Sequence, residues 1–182
     1  MTLSALVTGA AGGIGRAVAT RLAADGFRII ATDMDEERAR TVAEGIPGEG
    51  HTGHALDVTD EAAIGACFDA AEAQGTPVNV VVAAAGILIL DETGQRRPIT
   101  QTSTQEWELT QRVNSTGTFL LVREYLRRRT ATPAPYARFI AFSSVAAQLG
   151  GYRSSSAYIA SKSAISGLVK AAAREAAMRE AG

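Results

Sequence analysis

The chain opens with a short apolar run, Leu3-Ser4-Ala5-Leu6-Val7, that passes directly into Thr8-Gly9-Ala10-Ala11-Gly12-Gly13-Ile14-Gly15 and then into Arg16-Ala17-Val18-Ala19-Thr20-Arg21-Leu22. The first run is consistent with a buried strand, and the spacing after the glycines predicts an amphipathic helix. Strand, glycine turn and helix in immediate succession leave few folds open. Glycines permit positive φ and admit a ligand where a Cβ would hold it off. The helix start adds unpaired N–H groups and a positive dipole end, which suits a pyrophosphate. A Gly-rich turn also serves as an ordinary α/β connection. Here the second apolar run, Arg28-Ile29-Ile30-Ala31-Thr32, ends in Asp33, eighteen residues after Gly15. An acidic side chain at that separation is placed to accept from an adenosine ribose.

The pattern continues along the chain. Strands are expected near 3–8, 27–32, 53–56, 78–83 and 137–142, and helices near 13–25, 35–44, 60–74, 104–129 and 157–180. Apolar strands separated by helices imply a parallel sheet covered on both faces. Right-handed crossovers then give a doubly wound, Rossmann-like α/β domain with strand order 3-2-1-4-5. No repeat, low-complexity tract or linker divides the chain, so residues 1–182 read as a single dinucleotide-binding catalytic domain. That length can bury a real core.

A second constellation lies near the other end. Tyr158 is followed four places on by Lys162, one of only two lysines in the chain. On a helix those positions share a face, so the ammonium can approach the phenol. A phenol with an ordinary pKa near 10 is a poor proton carrier at neutral pH. A unit charge about 4 Å away is worth roughly 4 kcal/mol at an effective dielectric near 20, enough to lower that value by roughly two to three units. The plain alternative is a helix-surface Tyr and Lys that merely pass each other.

These motifs together resemble the classical short-chain dehydrogenase/reductase family. The spacing Thr8-Gly9-x-x-x-Gly13-x-Gly15 is similar to that family's cofactor loop, and Tyr158-x-x-x-Lys162 to its active-site signature. Asn114-Ser115-Thr116-Gly117 follows Trp107-Glu108 as the family's catalytic asparagine does. Phe142-Ser143-Ser144-Val145 ends an apolar strand, with Ser144 fourteen residues before Tyr158, where the catalytic serine lies. Asp57-Val58 is similar to the pair that meets the adenine ring. The likeness runs from Leu3 to about Ala177.

The resemblance implies an enzyme that interconverts a secondary alcohol and a ketone by hydride transfer, 3-oxoacyl reductase-like or hydroxyacyl dehydrogenase-like. It implies Asn114, Ser144, Tyr158 and Lys162 as the catalytic set, with Ser143 the alternative serine. Thr8, Gly9, Gly13, Ile14, Gly15, Asp33, Asp57, Val58, Ala84, Gly86, Tyr158 and Lys162 would contact the cofactor. Asp33 favours NAD over NADP, because a carboxylate there repels a 2′-phosphate. Pocket walls are expected from Ile87–Thr100 and Ala146–Tyr152, both low in charge and compatible with many small carbonyl or alcohol substrates.

Two departures stand out. Where the family usually has Asn-Asn-Ala-Gly, this chain has Ala83-Ala84-Ala85-Gly86. The sequence also ends at Gly182, before the family's last strands, so it reads as C-terminally incomplete and leaves Arg138–Phe142 as an apolar edge open to pairing. A non-catalytic cofactor-binding fragment or regulatory module is therefore the alternative function. Two helices look apolar beyond one stripe: Phe119, Leu120, Leu121, Val122 and Tyr125 on one, Ile165, Leu168, Val169 and Ala171–Ala173 on the other. By resemblance they would pair between subunits in a homodimer or homotetramer.

Composition excludes other classes. A net charge of −1 gives no broad attraction to nucleic acid or anionic membrane. The basic clusters Arg96-Arg97 and Arg127-Arg128-Arg129 read as a polar loop and a solvated helix end. The longest apolar run, Val80 to Leu90, is too short to span a bilayer, and no secretory leader is apparent, so a cytoplasmic location is expected. Cys67 has no cysteine to pair with and reads as a packed hydrophobe. His51 and His54 flank a glycine turn without other ligand types, so a loop or strand-edge role is expected and no metal site.

Overall fold

The computed structural model describes residues 2–73, 75–151 and 154–180. Its elements alternate: β1 (Ser4–Thr8), α1 (Gly13–Ala24), β2 (Arg28–Asp33), α2 (Glu36–Gly45), β3 (Thr52–Ala55), α3 (Glu61–Glu72), β4 (Val80–Ala83), α4 (Thr104–Gln111), α5 (Gly117–Ala131), β5 (Arg138–Ala141), α6 (Val145–Leu149) and α7 (Ser156–Glu180). The five strands form one sheet in the order β3-β2-β1-β4-β5. β1 pairs in parallel with β2 (Leu6 opposite Ile30) and with β4 (Leu6 opposite Val81), and β2 with β3 (Ile30 opposite Thr52). This is the doubly wound α/β order expected from the sequence.

The chain forms two compact units. The first comprises Met1–Ala85 and Leu120–Ile140 and contains the sheet core. Every residue of β1 and β4 is buried, as central parallel strands require. Around them pack Ala19 and Ala23 of α1, Ile64 and Phe68 of α3, and Leu121 and Tyr125 of α5. Asp35 and Asp60 cap α2 and α3, each accepting backbone N–H groups at the helix start. His51 lies at the edge of β2, accepting from Ile29 N at 3.0 Å through Nδ1, the strand-edge role expected for it.

An ion-pair cluster closes the same unit. Arg128 contacts Asp69, Glu72 and Glu124, while Arg129 Nη2 lies 2.5 Å from Glu72 Oε1. The Arg129 side chain is only 8 % exposed. The expectation of a solvated helix end is thus corrected for Arg128 and Arg129: α3 supplies the carboxylates that draw both into the interior. Leu120, Leu121, Val122 and Tyr125 are likewise buried within the chain, whereas Phe119 is 41 % exposed. Tyr125 of α5 packs against Phe68 of α3 and Phe139 of β5.

The second unit comprises Gly86–Phe119 and Ala141–Gly182. Ser103 caps α4 by accepting from Glu106 N. The helix expected over 104–129 is helical throughout, but Arg112–Thr116 forms a π-helical turn between α4 and α5. The short helix α6 was not anticipated; Ser144 caps its start, and Gly150 ends it at φ +81°. No helix among the described residues is long and apolar enough to cross a membrane.

Candidate active site

In the first unit the candidate residues gather at the C-terminal ends of β1, β2 and β4. Gly9 has φ +62°, and a Cβ there would stand 2.8 Å from the Ala85 backbone, so only glycine fits. A Cβ on Gly15 would come within 2.2 Å of the Gly9 carbonyl oxygen, which brings the first turn of α1 hard against the loop. Thr8 Oγ1 extends the tie beyond the strand by accepting from Ala85 N at 3.2 Å. Around Gly13, in contrast, a Cβ would meet nothing within 4 Å.

Gly13, Ile14 and Gly15 begin α1, where the first backbone N–H groups have no intrahelical partner. Ile14 is exposed beside them. Open space above unpaired N–H donors and a positive helix end fits the pyrophosphate of a dinucleotide. Asp33 stands at the end of β2, with Oδ2 accepting from Ala11 N at 3.1 Å. Asp57 is exposed and turns the chain by accepting from Thr59 N, while Val58 is buried. Ala84 is half-buried after β4.

The second unit holds the four catalytic candidates. Asn114 is fully buried in the π-helical turn. Its Oδ1 accepts from Ile87 N at 2.8 Å, and its Nδ2 donates to Ile87 O and Ser161 Oγ, each at 3.0 Å. Thr118 Oγ1 donates to the Asn114 carbonyl at 2.7 Å. A Cβ on Gly86 would lie 3.2 Å from Asn114 Oδ1 and 3.5 Å from Lys162 Nζ, so Gly86, Asn114 and Lys162 converge.

Lys162 is 7 % exposed and donates from Nζ to the Phe142 carbonyl at 2.9 Å. Burial pushes its pKa below the ordinary lysine value, and no carboxylate lies within ion-pair distance among the described residues. The ammonium sits 5.7 Å from the centroid of the Tyr158 ring, on the shared helix face that the four-residue spacing required.

The two candidate serines differ in what their hydroxyls do. Ser143 Oγ donates to Lys162 O at 2.8 Å and meets Ser166 Oγ at 3.0 Å. Ser144 Oγ accepts from Ala146 N at 3.1 Å and donates to no group among the described residues. Sequence reasoning missed Ser161, which accepts from Asn114 and donates to Tyr158 O. Its signal was a polar residue inside the Tyr158–Lys162 spacing. It also missed Glu106, 9 % exposed and paired with Arg97 at 3.3 Å. Of the expected pocket walls, Leu88, Leu90, Ile99 and Leu149 are exposed apolar side chains, and Tyr152 lies outside the described residues.

The family model for short chain dehydrogenases matches residues 4–180. Among curated relatives, D-threitol dehydrogenase of Mycolicibacterium smegmatis is 38 % identical over 126 residues, covering 68 % of this chain and 46 % of that protein. Short-chain dehydrogenase/reductase eriH of Hericium erinaceus is 36 % identical over 180 residues, covering 94 % and 67 %. The human (3R)-3-hydroxyacyl-CoA dehydrogenase is 33 % identical over 187 residues, covering 94 % and 66 %. The chain thus spans between about half and two thirds of the length of these relatives.

Proposed function

The chain belongs to the short-chain dehydrogenase family, and we propose that it is an oxidoreductase interconverting a secondary alcohol and a ketone by hydride transfer with NAD(P)(H). The observation that carries this reading is the buried Lys162 ammonium, with no carboxylate partner among the described residues, one helical turn from Tyr158 and beside Asn114. A buried lysine without an acid is costly. Its retention beside a phenol is explained by proton chemistry.

In the oxidative direction Tyr158 takes the proton of the substrate hydroxyl, with the Lys162 ammonium 5.7 Å from the centre of its ring. The nicotinamide, when bound, supplies the hydride acceptor or donor. Ser144, whose proton is uncommitted among the described residues, donates to the substrate oxygen and steadies its developing charge. Lys162 also holds the nicotinamide ribose. Asn114 positions a water that connects Lys162 to solvent. Asp33 accepts from the adenosine ribose and favours NAD(H) over NADP(H), while Asp57 and Val58 flank the adenine.

The apolar side chains Leu88, Leu90, Val145 and Leu149 support an acyl-like substrate, of the 3-oxoacyl or 3-hydroxyacyl kind, in keeping with one relative's name. We place the protein in the cytoplasm as a homodimer or homotetramer assembled through α7 and the exposed Phe119 of α5.

Titration with NADH and NADPH, followed by Trp107 and cofactor fluorescence, tests the site; tighter NADH binding is expected. Turnover of 3-oxoacyl thioesters should then vanish in Tyr158→Phe while NADH affinity stays within about twofold. Full activity in that variant sinks the catalytic assignment. Cofactor binding with no turnover of any ketone or secondary alcohol favours the non-catalytic module instead.

A further inference from the structure

Ala11, at the centre of the phosphate loop, is held from two directions. Its amide donates to Asp33 Oδ2 at 3.1 Å, and its carbonyl accepts from Arg38 Nη2 at 3.3 Å. Arg38 lies in the first turn of α2, where its own amide is fixed by the Asp35 cap at 3.1 Å. All three residues belong to the first unit. A carboxylate and a guanidinium are therefore anchored to the two polar atoms of one residue. They do not pair with each other: among the described residues, no carboxylate is within ion-pair distance of Arg38. Arg38 is exposed, and of its five N–H donors one is used on Ala11.

This has a consequence for nucleotide choice that rests on the proposed function. If Asp33 receives the adenosine ribose, the Arg38 guanidinium, tied to the carbonyl of the same Ala11, is within reach of a group on that sugar. A 2′-phosphate there would be repelled by Asp33, with Asp35, Glu36 and Glu37 adding to the negative field. Arg38 would oppose them with charge-assisted donors suited to phosphate oxygens. We propose that Arg38 is a second determinant of nucleotide choice, acting against Asp33, so that the site prefers NAD(H) but discriminates shallowly.

Calorimetric titration of the chain and of Arg38→Gln with 5′-ADP and with 2′,5′-ADP isolates this contact, since the two ligands differ only in the 2′-phosphate. The ratio of 2′,5′-ADP to 5′-ADP affinity should fall about five- to tenfold in Arg38→Gln. Arg38→Lys should recover part of that loss, and higher salt should shrink the difference. An unchanged ratio overturns the Arg38 assignment while leaving the nucleotide site intact, provided 5′-ADP binds the parent chain. Failure of the parent chain to bind either ligand overturns the nucleotide reading and the assignment with it.

Discussion

Asn114 completes both polar groups of Ile87, accepting from its N–H at 2.8 Å and donating to its C=O at 3.0 Å. The side-chain amide thus pairs with this residue's backbone as a neighbouring strand would. Its remaining Nδ2 donor goes to Ser161 of α7. One buried side chain therefore fixes the segment after Gly86 and the turn of α7 that carries Tyr158 and Lys162.

Replacing Asn114 with Ala should cost about 2–4 kcal/mol, because it leaves buried donors and acceptors unpaired at once. Urea denaturation reads the loss, and the catalytic effect should exceed that of a distant variant matched for stability. A variant as stable as the parent contradicts the bridging role.

Lys162→Met should abolish turnover without lowering the melting temperature at neutral pH. Burial holds the Lys162 pKa below its ordinary value, so the folded chain gives up this proton more readily than the unfolded one. The ammonium therefore disfavours folding at neutral pH. That penalty is relieved as pH rises from the lowered folded value toward the unfolded value, about 10.4. The stability of Lys162→Met relative to the parent should accordingly decline between pH 7 and pH 10. A difference that grows over that range has the wrong sign for a buried, unpaired lysine.

Glu72→Gln removes the carboxylate that meets Arg129 and also accepts from Val78 N at 2.8 Å. Arg129 Nε and Nη1 already have no hydrogen-bond partner among the described residues. Leaving that buried guanidinium without its counter-charge should cost about 3–5 kcal/mol. The double variant Glu72→Gln with Arg129→Met should recover a measurable part, and a strictly additive pair would exclude the coupling.

Cys67 is a packed thiol whose pKa is pushed up to about 11, mainly by burial, with Arg128 opposing the shift. At pH 8 its labelling by a disulfide reagent should be roughly a hundredfold slower than that of free cysteine, because little thiolate is present. Labelling in urea should track the unfolded fraction. Rapid reaction in the native chain would refute the buried setting.

The sheet was legible because β1, β2 and β4 are short, largely apolar runs, and because parallel order follows from alternating helices. The phosphate loop and the Tyr158–Lys162 pair were legible for a different reason: both are local spacings. What escaped was non-local. Nothing in the order of residues announces that Glu72 will meet Arg129, fifty-seven positions away, or that Asn114 will pair with Ile87. Helix α6, five residues long, is too short to carry a period. The apolar residues of α5 suggested a partner subunit, whereas Leu120, Leu121, Val122 and Tyr125 are buried within the chain.

The buried positions Glu106, Thr110, Asn114 and Thr118 advance in steps of four, three times over. An ideal α-helix would complete three turns in about eleven residues and drift out of phase with such a series. The wider turn at Arg112–Thr116 absorbs the surplus. The helix from Thr104 to Ala131 therefore holds one surplus residue as a local bulge. Deleting any single residue from 112–116 would restore ideal winding and leave Thr118 on the same buried face as Glu106 and Thr110. This helix carries its surplus as width, not as rotation.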